Sequence, residues 1–302
     1  MPSAAIRLWD AWHAGPRRHR WPLKVALFLA VALLTVYPRV DYLPTWLARL
    51  SDMNSVLDPQ HAGLAPLEAD VLAAAAARNV TTAAGLLPIV QQVVQRHVPY
   101  AFDWDTWGVM DYLPTVDETL ALGREDCDGR AVVAASLLRR MGHDAWLVSD
   151  ILHTWVATPA GQTMSPRESE QSFVATDRGT RARLSSGMLR NLANGFAFGV
   201  TVFPLAREIV LVAALALLTL HPRSPPARRV VGVLLMFGAL AVVRTVGGRP
   251  ADGGVGGALG VWTGVGMALC GWLLLLLRGA ARAPRCDAAP PGSPAGDGVL
   301  RG

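Results

Sequence analysis

The chain reads GREDCDGRAVVAASLLRRMG from Gly123 to Gly142, and this stretch decides the fold. It predicts a helix from about Cys127 to Met141, because small and apolar residues recur at helical spacing and Gly142 suits a left-handed helix end. Strands are predicted after this helix at 145–148, 152–158, near 162–165 and at 171–176. Outside them we predict helices at 64–78, 82–97 and 180–194 and an ordered loop at 99–116. A helix followed by antiparallel strands indicates an α+β domain in which the helix packs on the sheet.

The composition of the whole chain indicates a membrane protein. Of its 302 residues, 52% are hydrophobic and 17% are charged, which is below the roughly 25% charged residues of soluble domains. Residues 37–40 (Tyr-Pro-Arg-Val) end the first apolar run without a cleavage site, which favours an uncleaved signal anchor over a signal peptide. Four transmembrane helices, each about long enough to cross ~30 Å of hydrocarbon, are predicted at 21–40, 202–220, 230–247 and 254–277.

The basic residues set the predicted orientation. The formal net charge is +5, and lysine and arginine cluster before residue 21, at 221–229 and after residue 277. Such clusters mark cytoplasmic segments, so we predict a bacterial inner-membrane protein with both termini in the cytoplasm and the lipid bilayer as its partner. The remaining predicted segments are a basic N-terminus (1–20), an extracytoplasmic domain (41–201) and a disordered cytoplasmic tail (278–302).

Cys127 and His153 are the candidate reactive residues. The chain has three cysteines, too few for a disulfide scaffold, and this topology leaves Cys127 alone on the extracytoplasmic side. The start of a helix stabilises a thiolate, whereas Asp126 and Asp128 raise the thiol pKa, and the sequence leaves this balance open. A cysteine paired with a histidine is the minimal unit of covalent acyl chemistry, but a lone cysteine is also a common core residue.

Three segments together resemble the transglutaminase-like superfamily. They are Gly123-Arg124-Glu125-Asp126-Cys127-Asp128-Gly129, Leu137-Leu138-Arg139-Arg140-Met141-Gly142 and His153-Thr154-Trp155-Val156. The resemblance covers about 95–185 and implies a papain-like core in which Cys127 is the nucleophile and His153 its partner. It further implies a protein or peptide substrate whose amide bond is hydrolysed or transferred to an amine.

The third catalytic position departs from the family pattern. The family usually has an aspartate on the strand after the histidine, and this chain has Ser165-Pro166 there. Glu168 is the candidate replacement, because an acid orients the imidazole and stabilises its charged form. The alternative is an inactive transglutaminase-like domain that serves as a membrane-tethered binding or scaffold module.

Aromatic and acidic residues surround this motif. Trp104 and Trp107 are candidates to line a substrate groove or, alternatively, to cover the helix, and Trp155 shares a strand face with His153. Residues 103–128 hold eight acids against one arginine. We interpret them as a solvated acidic surface; the alternatives are a rim that favours amine substrates and a Ca²⁺ site that uses Asp103 and Asp105.

No metal, cofactor or nucleic acid is predicted. His97 and His143 lack partners at ligand spacing, and the chain has no glycine-rich phosphate loop. In the extracytoplasmic domain, basic residues do not interleave with aromatic ones as they do in nucleic-acid-binding surfaces. In the last apolar run, small residues share one ridge at Gly256, Gly260 and Gly264. This ridge predicts close helix packing, either with a second copy of the chain or with a neighbouring helix of the same chain.

Overall fold

The computed structural model describes residues 16–150, 153–165, 172–182, 188–221, 224–247 and 255–277. The helices that precede the sheet are α1 (Arg17–Val36), α2 (Tyr42–Ser51), α3 (Ala65–Ala77), α4 (Ala83–His97), α5 (Asp103–Thr106), α6 (Val116–Leu122) and α7 (Cys127–Arg140). The strands are β1 (Trp146–Ser149), β2 (Thr154–Thr158), β3 (Gly161–Thr163), β4 (Phe173–Thr176) and β5 (Gly179–Ala182). The helices that follow are α8 (Met188–Val202), α9 (Leu205–Thr219), α10 (Pro226–Gly247) and α11 (Val255–Leu276).

The five strands form one antiparallel sheet with the order β3-β2-β1-β4-β5. Strands β1 and β2 pair directly, with Ser149 opposite Thr154. The predicted combination of helices with a small antiparallel sheet is therefore confirmed. Strand β5 was not predicted, because we assigned helical character from residue 180 onward. Gly179, with φ +99°, lets the chain reverse there, so β4 and β5 form a hairpin. The next helix in the described part of the chain is Met188–Val202.

Helix α7 lies at the centre of the domain. Its buried residues occupy all sides of the helix and are Gly129, Ala131, Val132, Val133, Ala134, Ala135, Ser136, Leu137 and Leu138. Strands β1 and β2 pack against α7, and helices α4 and α6 also contact it. The helix ends as expected: Gly142 adopts φ +83°, a left-handed conformation that glycine adopts without steric cost.

Helix α2 joins the first apolar helix to this domain through polar and aromatic contacts. Rings of Tyr37, Tyr42, Trp46, Trp107 and Tyr112 form a small cluster. Beside it, Arg49 of α2 donates to both carboxylate oxygens of Glu118 in α6, at 2.7 and 3.1 Å. Glu118 also closes a capping box with Thr115 at the start of α6. A single carboxylate thus joins α2 to the beginning of α6.

Among the described residues, three helical segments are long and apolar enough to span a membrane: Arg18–Val36, Pro226–Val246 and Leu259–Leu276. The run predicted as a span at 202–220 corresponds mainly to α9, which has 15 residues and meets the end of α8 at a bend of 113°. Pro204 precedes α9 and cannot continue the hydrogen bonding of α8. Arg244 of α10 donates to the carbonyls of Val200 and Phe203 at the break and pairs with Glu208.

The glycine ridge of α11 packs inside the chain. A Cβ atom on Gly260 would lie 3.0 Å from both methyl groups of Val246, and one on Gly264 would lie 2.5 Å from a methyl group of Val243. Both valines belong to α10, so these two glycines are used for close packing with a neighbouring helix of the same chain. The surroundings of Gly256 lie outside what the structure describes.

We expect Gly264→Ala to lower the free energy of unfolding by about 1–3 kcal/mol, because the new methyl group overpacks the contact with Val243. Thermal unfolding of the detergent-solubilised chain, followed by circular dichroism, measures the effect. Gly266→Ala is the matched control, since a Cβ there meets nothing within 4 Å. Equal unfolding temperatures for the two variants would contradict the packing of α10 against α11.

We expect Glu118→Gln to lower the free energy of unfolding by about 2 kcal/mol at pH 7, because it removes a charge-assisted hydrogen bond to Arg49. Burial raises the pKa of Glu118, but hydrogen bonds from Arg49 and Thr115 outweigh it and hold the pKa below its usual value. A depressed carboxyl pKa stabilises the fold above the unfolded pKa of about 4.3 and loses that contribution as the pH falls. The stability difference from wild type should therefore shrink between pH 6 and pH 3, and a difference that stays constant over this range would contradict the charge-assisted role of Glu118.

Candidate active site

Cys127 is the first residue of α7, at the point where the helix meets the sheet. Asp126 precedes it in an extended conformation and accepts a hydrogen bond from the Asp128 backbone N–H at 3.0 Å, which caps the helix. Capping by aspartate is favourable because it satisfies one of the N–H groups left open at a helix start. Cys127 is half-buried at the sequence position where the resemblance places a nucleophile.

The thiol of Cys127 is in its neutral form at neutral pH. Burial, together with the carboxylates of Asp128 and Asp126, raises the pKa of the thiol well above its ordinary value. The Thr154 backbone opposes this shift but does not reverse it. The thiol donates to Asp128 Oδ1 at 3.5 Å. Burial and the two acids therefore favour the neutral thiol in this structure.

The acids near Cys127 are themselves shifted toward their protonated forms. Burial and the neighbouring Asp126 raise the pKa of Asp128 to about 7, and burial and Asp128 raise that of Asp111 to about 8. Asp111 and Asp128 share a hydrogen bond, and Asp111 also accepts one from the Trp46 indole at 3.1 Å. Carboxylates so close together repel when both are ionised, so a proton shared between them is favourable.

His153 lies directly before β2 and is oriented by a backbone carbonyl. Its Nε2 lies 2.8 Å from the carbonyl oxygen of Met164. A carbonyl oxygen accepts and never donates, so Nε2 carries the hydrogen and Nδ1 of the neutral ring keeps a free electron pair. Met164 adopts φ +60°, a rare conformation for a residue with a side chain. The sequence offered no signal that Met164 would accept a hydrogen bond from His153, because every residue type supplies a backbone carbonyl.

The structure links Cys127 to β2 through Thr154 and not through His153 itself. In the described part of the chain the Cys127 thiol donates to Asp128, and no hydrogen bond joins it to His153. The backbone of Thr154, the residue after His153, nevertheless acts on the thiol. The third residue of the predicted site, Glu168, lies outside the described residues, and Ser165 follows Met164 at the end of the described segment.

The three candidate tryptophans take part in packing. The Trp107 indole donates to Glu125 Oε1 at 2.8 Å and contacts Tyr112 in the aromatic cluster. Trp104 stacks on Phe102 with ring centroids 4.4 Å apart. Trp155 has no exposed surface, and its ring lies 6.1 Å from that of His153, as the shared strand face predicts. In this conformation Trp155 is a core residue and offers no surface to a substrate.

Comparison with known protein families, curated proteins and solved structures finds no match for the chain. The transglutaminase-like resemblance therefore depends on the motifs around Cys127 and His153 alone. In the structure, the Cys127 motif lies at the start of α7 and the His153 motif at the start of β2, which packs against α7.

We expect Gly129→Ala to destabilise the chain by about 1–3 kcal/mol and to displace Glu125. A Cβ on Gly129 would lie 2.1 Å from Cγ of Glu125 and 2.8 Å from the Thr119 hydroxyl, both of which are fully buried. Thermal unfolding measures the loss, with Gly199→Ala as a control because a Cβ there meets nothing within 4 Å. If Gly129→Ala left the unfolding temperature unchanged, Glu125 would not be held against the first turn of α7.

Proposed function

We propose that the chain is a membrane-anchored, transglutaminase-like cysteine enzyme that acts on amide bonds through Cys127 and His153. The observation that carries the proposal is the bond between His153 Nε2 and the Met164 carbonyl. It fixes the tautomer in which Nδ1 can accept a proton, which is what a general base for a neighbouring thiol requires. The position of Cys127 at the start of α7, beside the backbone of β2, supports the same arrangement.

In the proposed reaction, Nδ1 of His153 takes the thiol proton as Cys127 Sγ attacks the amide carbonyl carbon. Backbone N–H groups at the start of α7 stabilise the resulting oxyanion. The imidazolium then gives its proton to the departing amine, and a thioester on Cys127 remains. Water or a second amine resolves the thioester, which gives hydrolysis or transfer respectively. Because the resting thiol is neutral, substrate binding must bring Cys127 and His153 into hydrogen-bond contact.

In the family, an aspartate orients the catalytic imidazole; in this chain, the Met164 carbonyl would orient His153 instead. A carbonyl dipole fixes the ring tautomer, but it stabilises a charged imidazolium less than a carboxylate would. This difference favours an enzyme with slow turnover. Glu168 remains the predicted acid that would supply the missing charge.

The proposed setting is a bacterial inner membrane with residues 41–201 on its outer side and four crossings in total. The three long apolar helices support membrane insertion. In this proposal the bent pair α8 and α9 contributes the fourth crossing, which keeps both basic termini on the cytoplasmic side. The substrate class is a protein or peptide that reaches the outer face of the bilayer.

A binding or scaffold module is the second candidate function. The observation that favours it is the contact of the Cys127 thiol with Asp128 in place of His153. In this case the papain-like core would hold a partner, and Cys127 would be an inert residue of the domain.

We expect an amide-mimetic acyl probe to label Cys127 of the detergent-solubilised chain at pH 7.5, as measured by mass spectrometry. His153→Ala should slow the labelling at least tenfold, because general base catalysis contributes about 10²–10⁴-fold. His143→Ala, at another half-buried histidine of the same domain, is the matched control and should label at the wild-type rate.

Two outcomes would overturn the enzyme proposal. One is labelling of Cys127 only after the chain is unfolded. The other is equal labelling of wild type and His153→Ala, provided that both unfold at the same temperature. Either result would leave the binding module as the better account of the domain.

A further inference from the structure

Segment 98–101 runs beside the residues that lead into α7. The Glu125 backbone N–H donates to the Pro99 carbonyl at 3.0 Å, and the Ala101 N–H donates to the Glu125 carbonyl at 3.3 Å. Tyr100 lies between these two bonds, and it is 49% exposed. An aromatic ring is therefore held at the surface of the domain beside the first turn of α7.

Arg130 lies one turn after Cys127 on the same side of α7. Residues three apart in a helix are neighbours on its surface, with Cβ atoms about 5–6 Å apart. Arg130 Nε donates to the Val98 carbonyl at 2.8 Å, and the guanidinium lies over the Tyr100 ring, 5.0 Å from its centroid. One hydrogen bond and one cation–π contact thus hold the guanidinium in place near the thiol residue.

The outer edge of this guanidinium is open. In the described ranges Arg130 takes part in no ion pair, and its two Nη atoms donate no hydrogen bond. Asp126 lies nearby, but its Oδ1 accepts from the Asp128 backbone N–H instead. A guanidinium stays charged at all working pH values, and its two Nη groups form a planar fork that matches the two oxygens of a carboxylate.

The acidic residues of this region are turned away from that surface. The sequence predicted a solvated acidic surface at 103–128, but Asp103 is 1% exposed and Glu125 is 0% exposed. The prediction is therefore wrong for these two acids. Burial also raises the pKa of both carboxyl groups, which reduces the negative charge that an approaching anion meets.

We propose that Arg130 and Tyr100 form a subsite for a carboxylate of the substrate, next to the amide bond that Cys127 attacks. This inference rests on the proposed function and names its substrate class. The class is a peptide with an aspartate, a glutamate or a C-terminal carboxylate close to the scissile bond. The carboxylate accepts two hydrogen bonds from the Nη atoms of Arg130, and the Tyr100 ring packs against the adjoining part of the peptide.

The first experiment compares two alkylating reagents on Cys127 of the full detergent-solubilised chain. Iodoacetate carries a carboxylate and iodoacetamide is its neutral counterpart, so the ratio of their rates reports attraction of an anion and cancels changes in thiol reactivity. Mass spectrometry follows both rates at pH 7.5. We expect this ratio to be at least tenfold higher in the folded chain than in the unfolded chain, because a half-buried charge is weakly screened.

Arg130→Gln should lower the ratio at least fivefold, since it removes the charge and keeps a donor for Val98. Arg124→Gln is the matched control and should leave the ratio unchanged, because this arginine lies three residues before Cys127 but is exposed. If Arg130→Gln does not fold, Arg130→Lys carries the comparison. It keeps the charge without the fork, so it should lower the ratio by a smaller factor.

The second experiment measures binding without reaction. Acetyl-Ala-Ala-Glu-Ala-amide and its Gln counterpart are titrated into the Cys127→Ala chain by isothermal titration calorimetry. We expect the Glu peptide to bind at least tenfold more tightly, and a further Arg130→Gln substitution to remove the difference. Because no thiol is present, this preference can hold even if the enzyme proposal fails. Conversely, labelling of Cys127 that depends on His153 can hold while the preference fails.

The proposal is wrong if the iodoacetate ratio is the same in the folded and the unfolded chain. It is also wrong if Arg130→Gln leaves the ratio unchanged while unfolding at the wild-type temperature. If Cys127 reacts with neither reagent, the peptide pair decides: equal binding of the two peptides, or binding of neither, overturns the proposal. Arg130 would then serve only to fasten segment 98–101 to α7.

Discussion

The burial of α7 on every side is the constraint from which the rest of the domain follows. A helix with no exposed face must be made of small and apolar residues, and Ala131 to Leu138 meet that requirement without interruption. Its charged residues are therefore confined to its two ends, and the one polar side chain between them, Ser136, accepts a hydrogen bond from the Asp58 backbone N–H. At the first end, Asp126 caps the helix by accepting from the Asp128 backbone N–H, and Cys127 lies beside the Thr154 backbone of β2.

The motif around α7 was predictable because it depends on local signals. The helical spacing of α7, the left-handed glycine at 142 and the run of β-forming residues in β2 each leave a pattern in the sequence. The role of Met164 left none, since it depends on a backbone carbonyl and an unusual φ angle. Burial of Asp103 and Glu125 was likewise invisible, because acidic residues in a row normally indicate an exposed surface. Their observed partners are the Tyr112 backbone N–H, which donates to Asp103, and the Trp107 indole, which donates to Glu125.

In the apolar helices as well, features that depend on local sequence were predictable and features that depend on distant residues were not. Hydropathy located the three long apolar helices, but it could not locate the break at Phe203 and Pro204 or the apolar Gly195–Val202 segment before it. Arg244, about forty positions along the chain, donates to the carbonyls at that break. Likewise, the glycine spacing of α11 indicated close packing, and only the position of Val243 and Val246 identified α10 as the neighbour.

The loop from Asp103 to Tyr112 is anchored at two points to the apolar helices. The Tyr37 hydroxyl, just beyond α1, donates to the Asp111 carbonyl, and Arg207 of α9 donates to the Gly108 carbonyl at 2.9 Å. A loop held at two such points has little freedom to rotate about a single linker. A tilt of α1 relative to α9 would therefore act on this loop directly, and through the Trp107 indole it would reach Glu125, two residues before α7.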